Sequence, residues 1–156
     1  MPTPDFVLAL RRRIGHDPLW LPGVGGVVFN GEGHVLLGQR ADNGRWTIIT
    51  GMVEPGEEPA VALTREVEEE TGIVVEVEYL LDAGVVGPIT FPNGDVCTFL
   101  TLDFRCRQVG GTARVNDDES LDVRWFPLDA LPALNERHRA LVLGAGHFDG
   151  VTRFAT

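Results

Sequence analysis

Apolar and polar positions follow two rhythms along the chain. Near the start, Phe6, Leu8 and Leu10 followed by Arg11, Arg12 and Arg13 predict a short helix stopping at Gly15. Three arginines suit a helix C-terminus, where cations meet the negative end of the dipole. Residues 24–29 and 34–40 are β-rich runs around Asn30-Gly31-Glu32-Gly33, a hairpin signal. A short apolar run covers 46–49. Strict alternation over 74–81 (Val75, Val77, Tyr79, Leu81 against Glu76, Glu78) predicts a half-buried strand. Residues 96–107 read as another strand after the turn Pro92-Asn93-Gly94-Asp95, and 121–126 as the last. Good helix formers fill 60–71, with Pro59 suited to the first helical position and Gly72 to the stop. A closing helix is predicted over 135–143, ending at Gly144. Strands and helices mix without regular βα alternation, which predicts an α+β fold. Gly23-Val24-Gly25-Gly26 precedes a strand instead of joining a strand to a helix, so the dinucleotide fingerprint fails. The cluster is expected to be a turn with close backbone packing.

Length and composition narrow the chemistry. The 156 residues predict a single domain over 1–156, and 44% hydrophobic residues suffice for a core without disulfides or structural metal. All 13 basic residues are arginine, so a phosphate-loop lysine, a Schiff-base lysine and a lysine general base are excluded. The single serine, Ser120, lies in an acidic run with no Gly-x-Ser-x-Gly around it, which excludes a serine-hydrolase elbow. A net charge of −10 supplies no basic footprint for nucleic acid and is repelled by anionic membranes. The partners expected are therefore a small molecule, no nucleic acid and no membrane; a homodimer is left open. Cys97 and Cys106 lie in one strand-like run, about 30 Å apart if it is continuous, and are expected as buried free thiols. With no signal peptide and no long apolar stretch, a cytoplasmic location is expected. His16, His34, His138 and His147 have no metal-ligand spacing.

The acid is concentrated. Residues 51–73 carry seven carboxylates against one arginine, Arg65. On the helix beginning at Pro59, Glu66, Glu69 and Glu70 occupy i, i+3 and i+4, one face at about 100° per residue. Val61, Leu63 and Val67 are expected to supply apolar contacts on other faces, with Ala62 allowing close packing. Such a stripe is either solvated or the ligand set of a hard cation, since oxygen-only ligands select Mg²⁺ or Mn²⁺, which also hold phosphate oxygens. Arg65, four residues before Glu69, is placed to orient that carboxylate.

The same segment resembles the Nudix hydrolase signature, G-x5-E-x7-R-E-U-x-E-E-x-G-U with U aliphatic. Gly51, Glu57, Arg65, Glu66, Val67, Glu69, Glu70, Gly72 and Ile73 fill every specified position. Seven fixed residues at about 7% usage each give on the order of one chance match per 10⁸ windows. The resemblance implies a mixed β-sheet packed between helices, an α/β/α sandwich, with the signature as loop–helix–loop. It implies Mg²⁺- or Mn²⁺-dependent hydrolysis of a nucleoside diphosphate linked to another group, by water attack at phosphorus. Glu66, Glu69 and Glu70 become metal-ligand candidates, Glu57 an assisting acid, Arg65 an orienting residue and the backbone at Gly51 a carbonyl donor. The general base is either a signature glutamate or one outside it, and Glu119 is the external candidate. Ile49-Thr50 stands where many relatives carry Pro-Gly, which bears on the loop's carbonyl contribution.

For substrate, Pro88 lies 15 residues beyond Ile73, a family marker of ADP-ribose hydrolases, although Gly87-Pro88 also reads as a turn. Trp20, Phe91 and Trp46 are candidates to stack on a base, or core residues. Arg40 and Arg45 flank the loop before the signature and are candidate phosphate contacts. ADP-ribose or a related nucleotide sugar is the first expectation. A nucleoside triphosphate pyrophosphohydrolase is the alternative, and a non-catalytic nucleotide-binding protein the third.

Overall fold

A computed structural model describes residues 3–156; Met1 and Pro2, the first residues read for a signal peptide, lie outside them. The order is α1 (Asp5–Ile14), β1 (Leu19–Phe29), β2 (Val35–Arg40), β3 (Trp46–Thr47), β4 (Ile49–Met52), α2 (Pro59–Thr71), β5 (Ile73–Thr90), β6 (Val96–Gly111), β7 (Ser120–Phe126), α3 (Glu136–Gly146) and β8 (Arg153–Phe154). The strands form one mixed sheet of order β3-β2-β1-β6-β5-β8, with β4 also pairing β1 and β7 also pairing β2. β1 runs parallel to β6, while β2 and β4 are antiparallel to β1. The α+β class expected from the sequence is what is found.

The helices lie on different parts of this sheet because their apolar residues do. α2 buries Ala62, Leu63 and Val67 against Val24, Val28, Ile49 and Ile73. α3 buries Val142 and Ala145 with Val27, Phe29, Leu37 and Leu81. Val7 of α1 joins Leu19, Leu21 and Cys97, with Phe91 half-buried beside them. Val61 does not pack as expected: it is 57% exposed, because it falls on the side of α2 away from the sheet.

Gly23-Val24-Gly25-Gly26 is not a turn but the middle of β1. Close packing explains the glycines. A methyl on Gly25 would collide with Asp103 Oδ1 across the β1–β6 pair, and one on Gly26 would crowd Leu63 of α2. Asp103 is 1% exposed and is held by Arg137 of α3, which also donates to Thr101 Oγ1 at 3.0 Å. A buried carboxylate needs such a partner. Gly87-Pro88 is likewise no turn; it lies inside β5, at a register irregularity between Val86 and Ile89. Cys97 and Cys106 are both in β6, buried and unbridged. Among the described residues, no helix is long and apolar enough to cross a membrane.

Candidate active site

β4 and α2 carry the signature. Gly51 pairs with Val24, and its missing side chain makes room for the Glu66 carboxyl group, which a methyl there would displace. Glu66 is 1% exposed. Its Oε1 accepts the Met52 N–H at 3.2 Å and lies 3.1 Å from Arg65 Nη1, whereas Oε2 is buried with no hydrogen-bond partner. Burial pushes the Glu66 carboxyl above its usual range against the pull of Arg65.

Arg65 organises the loop. Its Nε donates to Glu57 Oε1 and its Nη2 to Glu57 Oε2, both at 2.9 Å, a two-pronged ion pair. Nη2 also donates to the Met52 carbonyl at 3.2 Å, and Nη1 to Glu69 Oε2 at 3.3 Å. Glu57 further accepts the Glu54 N–H. Both Glu57 oxygens are therefore engaged in holding residues 52–57 against α2. Glu69, half exposed, stands on the Arg65 side of the helix.

Glu70, one turn beyond Glu66, faces a different neighbourhood. Together with Asp117 and Glu119 it offers carboxylate oxygens that all lie within 4.8 Å of one another. Burial foremost, then the negative charges of Glu66 and Asp117, push the Glu70 carboxyl up to about 8. Asp117 is also raised, chiefly by burial. The positive charge of Arg40 reaches Glu70, but Arg40 itself donates from Nε and Nη2 to Asp42, at 2.9 and 2.7 Å. Oxygen-only donors, a buried carboxylate oxygen left without a partner and a carboxyl group forced toward neutrality together fit a hard divalent cation. Glu70, Asp117 and Glu119 come together as oxygen donors, with Glu66 one turn back on α2.

A family model described as the NUDIX domain matches residues 19–143. The chain belongs to the NUDIX family. It is a Nudix hydrolase, an enzyme of pyrophosphatase type. It is 42% identical to a MutT-like protein of Streptomyces ambofaciens, over 72% of this chain and 67% of that one. It is 35% identical to the 8-oxo-dGDP phosphatase NUDT18 of Homo sapiens over 75% of this chain, but spans only 35% of that relative's length. Among solved structures, an ADP-ribose pyrophosphatase from Streptococcus suis superposes with a TM-score of 0.68 at 25% identity, covering 86% of this chain and 98% of that one. Nudix enzymes are in general dependent on divalent metal and act on small nucleotides, while one relative, 32% identical over 80% of this chain and 42% of its own length, is the NAD-capped RNA hydrolase NudC of Stutzerimonas stutzeri.

Of the residues singled out from sequence, Glu70 and Glu119 come together, Glu66 adjoins Glu70, and Arg65 joins Glu57, Glu66 and Glu69. Others lie apart. Phe91 packs with the α1 cluster, Trp46 makes an edge-on contact with Phe126, and Trp20 is 61% exposed at the start of β1. Arg45 is exposed, on a turn in which its N–H donates to Asn43 Oδ1. Asp117 was not among the sequence candidates. Its signal was its place in the same acidic run as Glu119; residues 117–119 bend, the Glu119 N–H donating to Asp117 Oδ1, and the two carboxylates come together there.

Proposed function

We propose that this enzyme hydrolyses a phosphoanhydride bond in a nucleoside diphosphate derivative, with ADP-ribose or a related nucleotide sugar as the first substrate class to try. The observation that carries the reading is the cluster of Glu70, Asp117 and Glu119 carboxylates, together with the unpartnered oxygen of Glu66, whose charge acts on Glu70, a set suited to a cation that accompanies polyphosphate. A bound Mg²⁺ or Mn²⁺ supplies charge neutralisation at the phosphoryl oxygens and favours ionisation of a nearby water. Glu119, exposed on the loop before β7, is the proposed general base: its carboxylate takes the proton as water forms the new P–O bond and the bridging P–O bond breaks. Glu66, Glu69 and Glu70 remain the proposed ligands on the helix, with the Gly51 carbonyl beside them. Arg65 holds Glu57 and the loop, so these two act on orientation. Arg40 is a cation within reach of the acidic cluster, and a substrate phosphate competes with Asp42 for its guanidinium.

The activities for which NUDT18 and the Streptococcus suis enzyme are named support this class, since 8-oxo-dGDP and ADP-ribose both contain a nucleoside diphosphate. The MutT-like relative keeps the triphosphate pyrophosphohydrolase reading in view. The net charge of −10 favours a small nucleotide over nucleic acid. A panel of ADP-ribose, 8-oxo-dGDP and deoxynucleoside triphosphates with Mg²⁺ or Mn²⁺ separates these by products. AMP plus ribose phosphate supports the first reading, and monophosphate plus pyrophosphate replaces it with the alternative. Turnover that survives EDTA, or none with any nucleotide, overturns the proposal.

A further inference from the structure

The loop carboxylates reach α2 because residues 114–116 finish that helix. A helix leaves its last four carbonyls without partners inside it. Here the Arg114 N–H donates to the Thr71 carbonyl at 3.0 Å and the Asn116 N–H to the Glu70 carbonyl at 3.1 Å. Asn116 Nδ2 donates to the carbonyls of Glu68 and Glu69 at 3.3 and 3.0 Å, while its Oδ1 accepts from Arg114 Nε at 3.1 Å. The amide is thus fixed at both ends, and the next residue, Asp117, is set against Glu70.

Capping alone does not call for an acid at 117. An acidic side chain there adds repulsion to a helix end already carrying Glu66 and Glu70. Exposed acidic groups often cluster without a ligand, but Glu66 is 1% exposed and its Oε2 lacks a partner, one helical turn from Glu70 on the same face. Glu66 is thus a buried, half-satisfied carboxylate whose charge bears on Glu70 of the cluster, and Arg65, its cationic neighbour, leaves Oε2 unmatched.

Resting on the metal-dependent reading above, we propose that Asp117 is an additional oxygen ligand of the divalent cation, delivered from outside the signature, and that Asn116 is the positioning residue that docks Asp117 and Glu119 on α2. The ligand set then spans two segments, so that cation binding fastens residues 114–119 to the signature helix.

Mn²⁺ binding to the full chain, by calorimetry and by loss of the free-ion EPR signal, tests this without turnover. Asp117→Asn should weaken Mn²⁺ at least 10-fold, and Asp117→Glu should restore part of the affinity. Asp118→Asn removes the same charge from the exposed neighbour and should change affinity less than 3-fold. Asn116→Ala should weaken Mn²⁺ binding and shrink the rise in melting temperature that Mn²⁺ produces, beyond any loss in the metal-free melting temperature. A purely capping role would lower the metal-free value and leave that rise intact, which overturns the positioning role. Wild-type Mn²⁺ affinity in Asp117→Asn, with wild-type protein that binds Mn²⁺ and turns nucleotide over, overturns the ligand assignment alone. Failure of the wild type to bind Mn²⁺ or to turn over any nucleotide overturns both this proposal and the function on which it rests.

Discussion

Replacing Arg65 by leucine removes one guanidinium from five oxygens in the metal-free protein. Two of them belong to Glu57, whose pair with Arg65 is charge-assisted and two-pronged at 2.9 Å. Hydrogen bonds to charged groups contribute roughly 1.5–3 kcal/mol each, but Arg65 is 26% exposed, so solvent screening keeps the pair toward the low end. The larger effect is on Glu66, 1% exposed, which loses its cationic neighbour at 3.1 Å. Breaking a buried pair from one side costs about 3–5 kcal/mol, because the remaining charge is uncompensated. Glu66 can escape part of that by taking a proton, since burial already raises its carboxyl. The expected loss at pH 8 is therefore about 3–4 kcal/mol, read from urea denaturation in EDTA. Arg65→Lys keeps the charge but not the fork and should lose about half as much. In a double-mutant cycle, Glu66→Gln should remove at least ~1.5 kcal/mol of the Arg65→Leu penalty. A loss below about 0.5 kcal/mol, or no coupling to Glu66, would refute the reasoning.

Gly51→Ala places a methyl in the space of the Glu66 carboxyl group and should cost about 1–3 kcal/mol of stability in urea, with a parallel drop in Mn²⁺ affinity. Unchanged stability and affinity would mean that β4 gives way freely. His138 is pushed down to about 4 by burial and by the positive charges of Arg137 and Arg40, and its Nδ1 accepts from Asn135 Nδ2. The unfolded chain takes up a proton near pH 6.5 and the native protein only near 4. Stability present above pH 6.5 is therefore lost as pH falls to about 4, by roughly 2–3 kcal/mol. His138→Gln should remove that acid sensitivity, and a wild-type-minus-variant stability difference that stays flat between pH 7 and 4 would contradict it. The Cys106 thiol is pushed up to about 12 by burial, so a thiol reagent at pH 8 should modify it only after urea unfolding; prompt native labelling would show that β6 opens.

What the sequence displayed best was local. Pro59 at the first helical position and glycine at the left-handed cap Gly72 bound α2 by the chemistry of helix ends, and the structure has both. The helical repeat also put Glu66, Glu69 and Glu70 near one another, but it did not show that Glu69 turns to Arg65 while Glu70 turns to Asp117 and Glu119. Strand length was harder to see. β5 continues past Leu81 into Asp82-Ala83-Gly84, where alternation ends, because pairing with β6 carries it on through the register irregularities at Leu80/Asp82 and Val86/Ile89. The glycines of β1 looked like a turn because glycine is usually read as local punctuation, whereas Gly25 and Gly26 answer to Asp103 and Leu63, each remote in sequence. Asp117 was hidden for the same reason: its place depends on Asn116 meeting the last carbonyls of α2, some fifty residues earlier.

Under the proposed function, these contacts also bear on how so acidic a chain would accept a polyphosphate. Arg65 is committed to Glu57 and its neighbours, and Arg40 to Asp42, so neither guanidinium neutralises the Glu70 cluster by direct contact. The protein's own cations stabilise the frame of the site and leave its centre negative. A centre balanced by arginine would fold more stably and bind a hard cation less well, because oxygens already bonded to guanidinium must be freed before they ligate. The repulsion among Glu66, Glu70 and Asp117 is thus a cost borne by the metal-free fold, and any cation that binds only the folded form returns that free energy as stability. On this reasoning the same negative charge that opposes a nucleotide approaching alone favours one that arrives with its counter-ion.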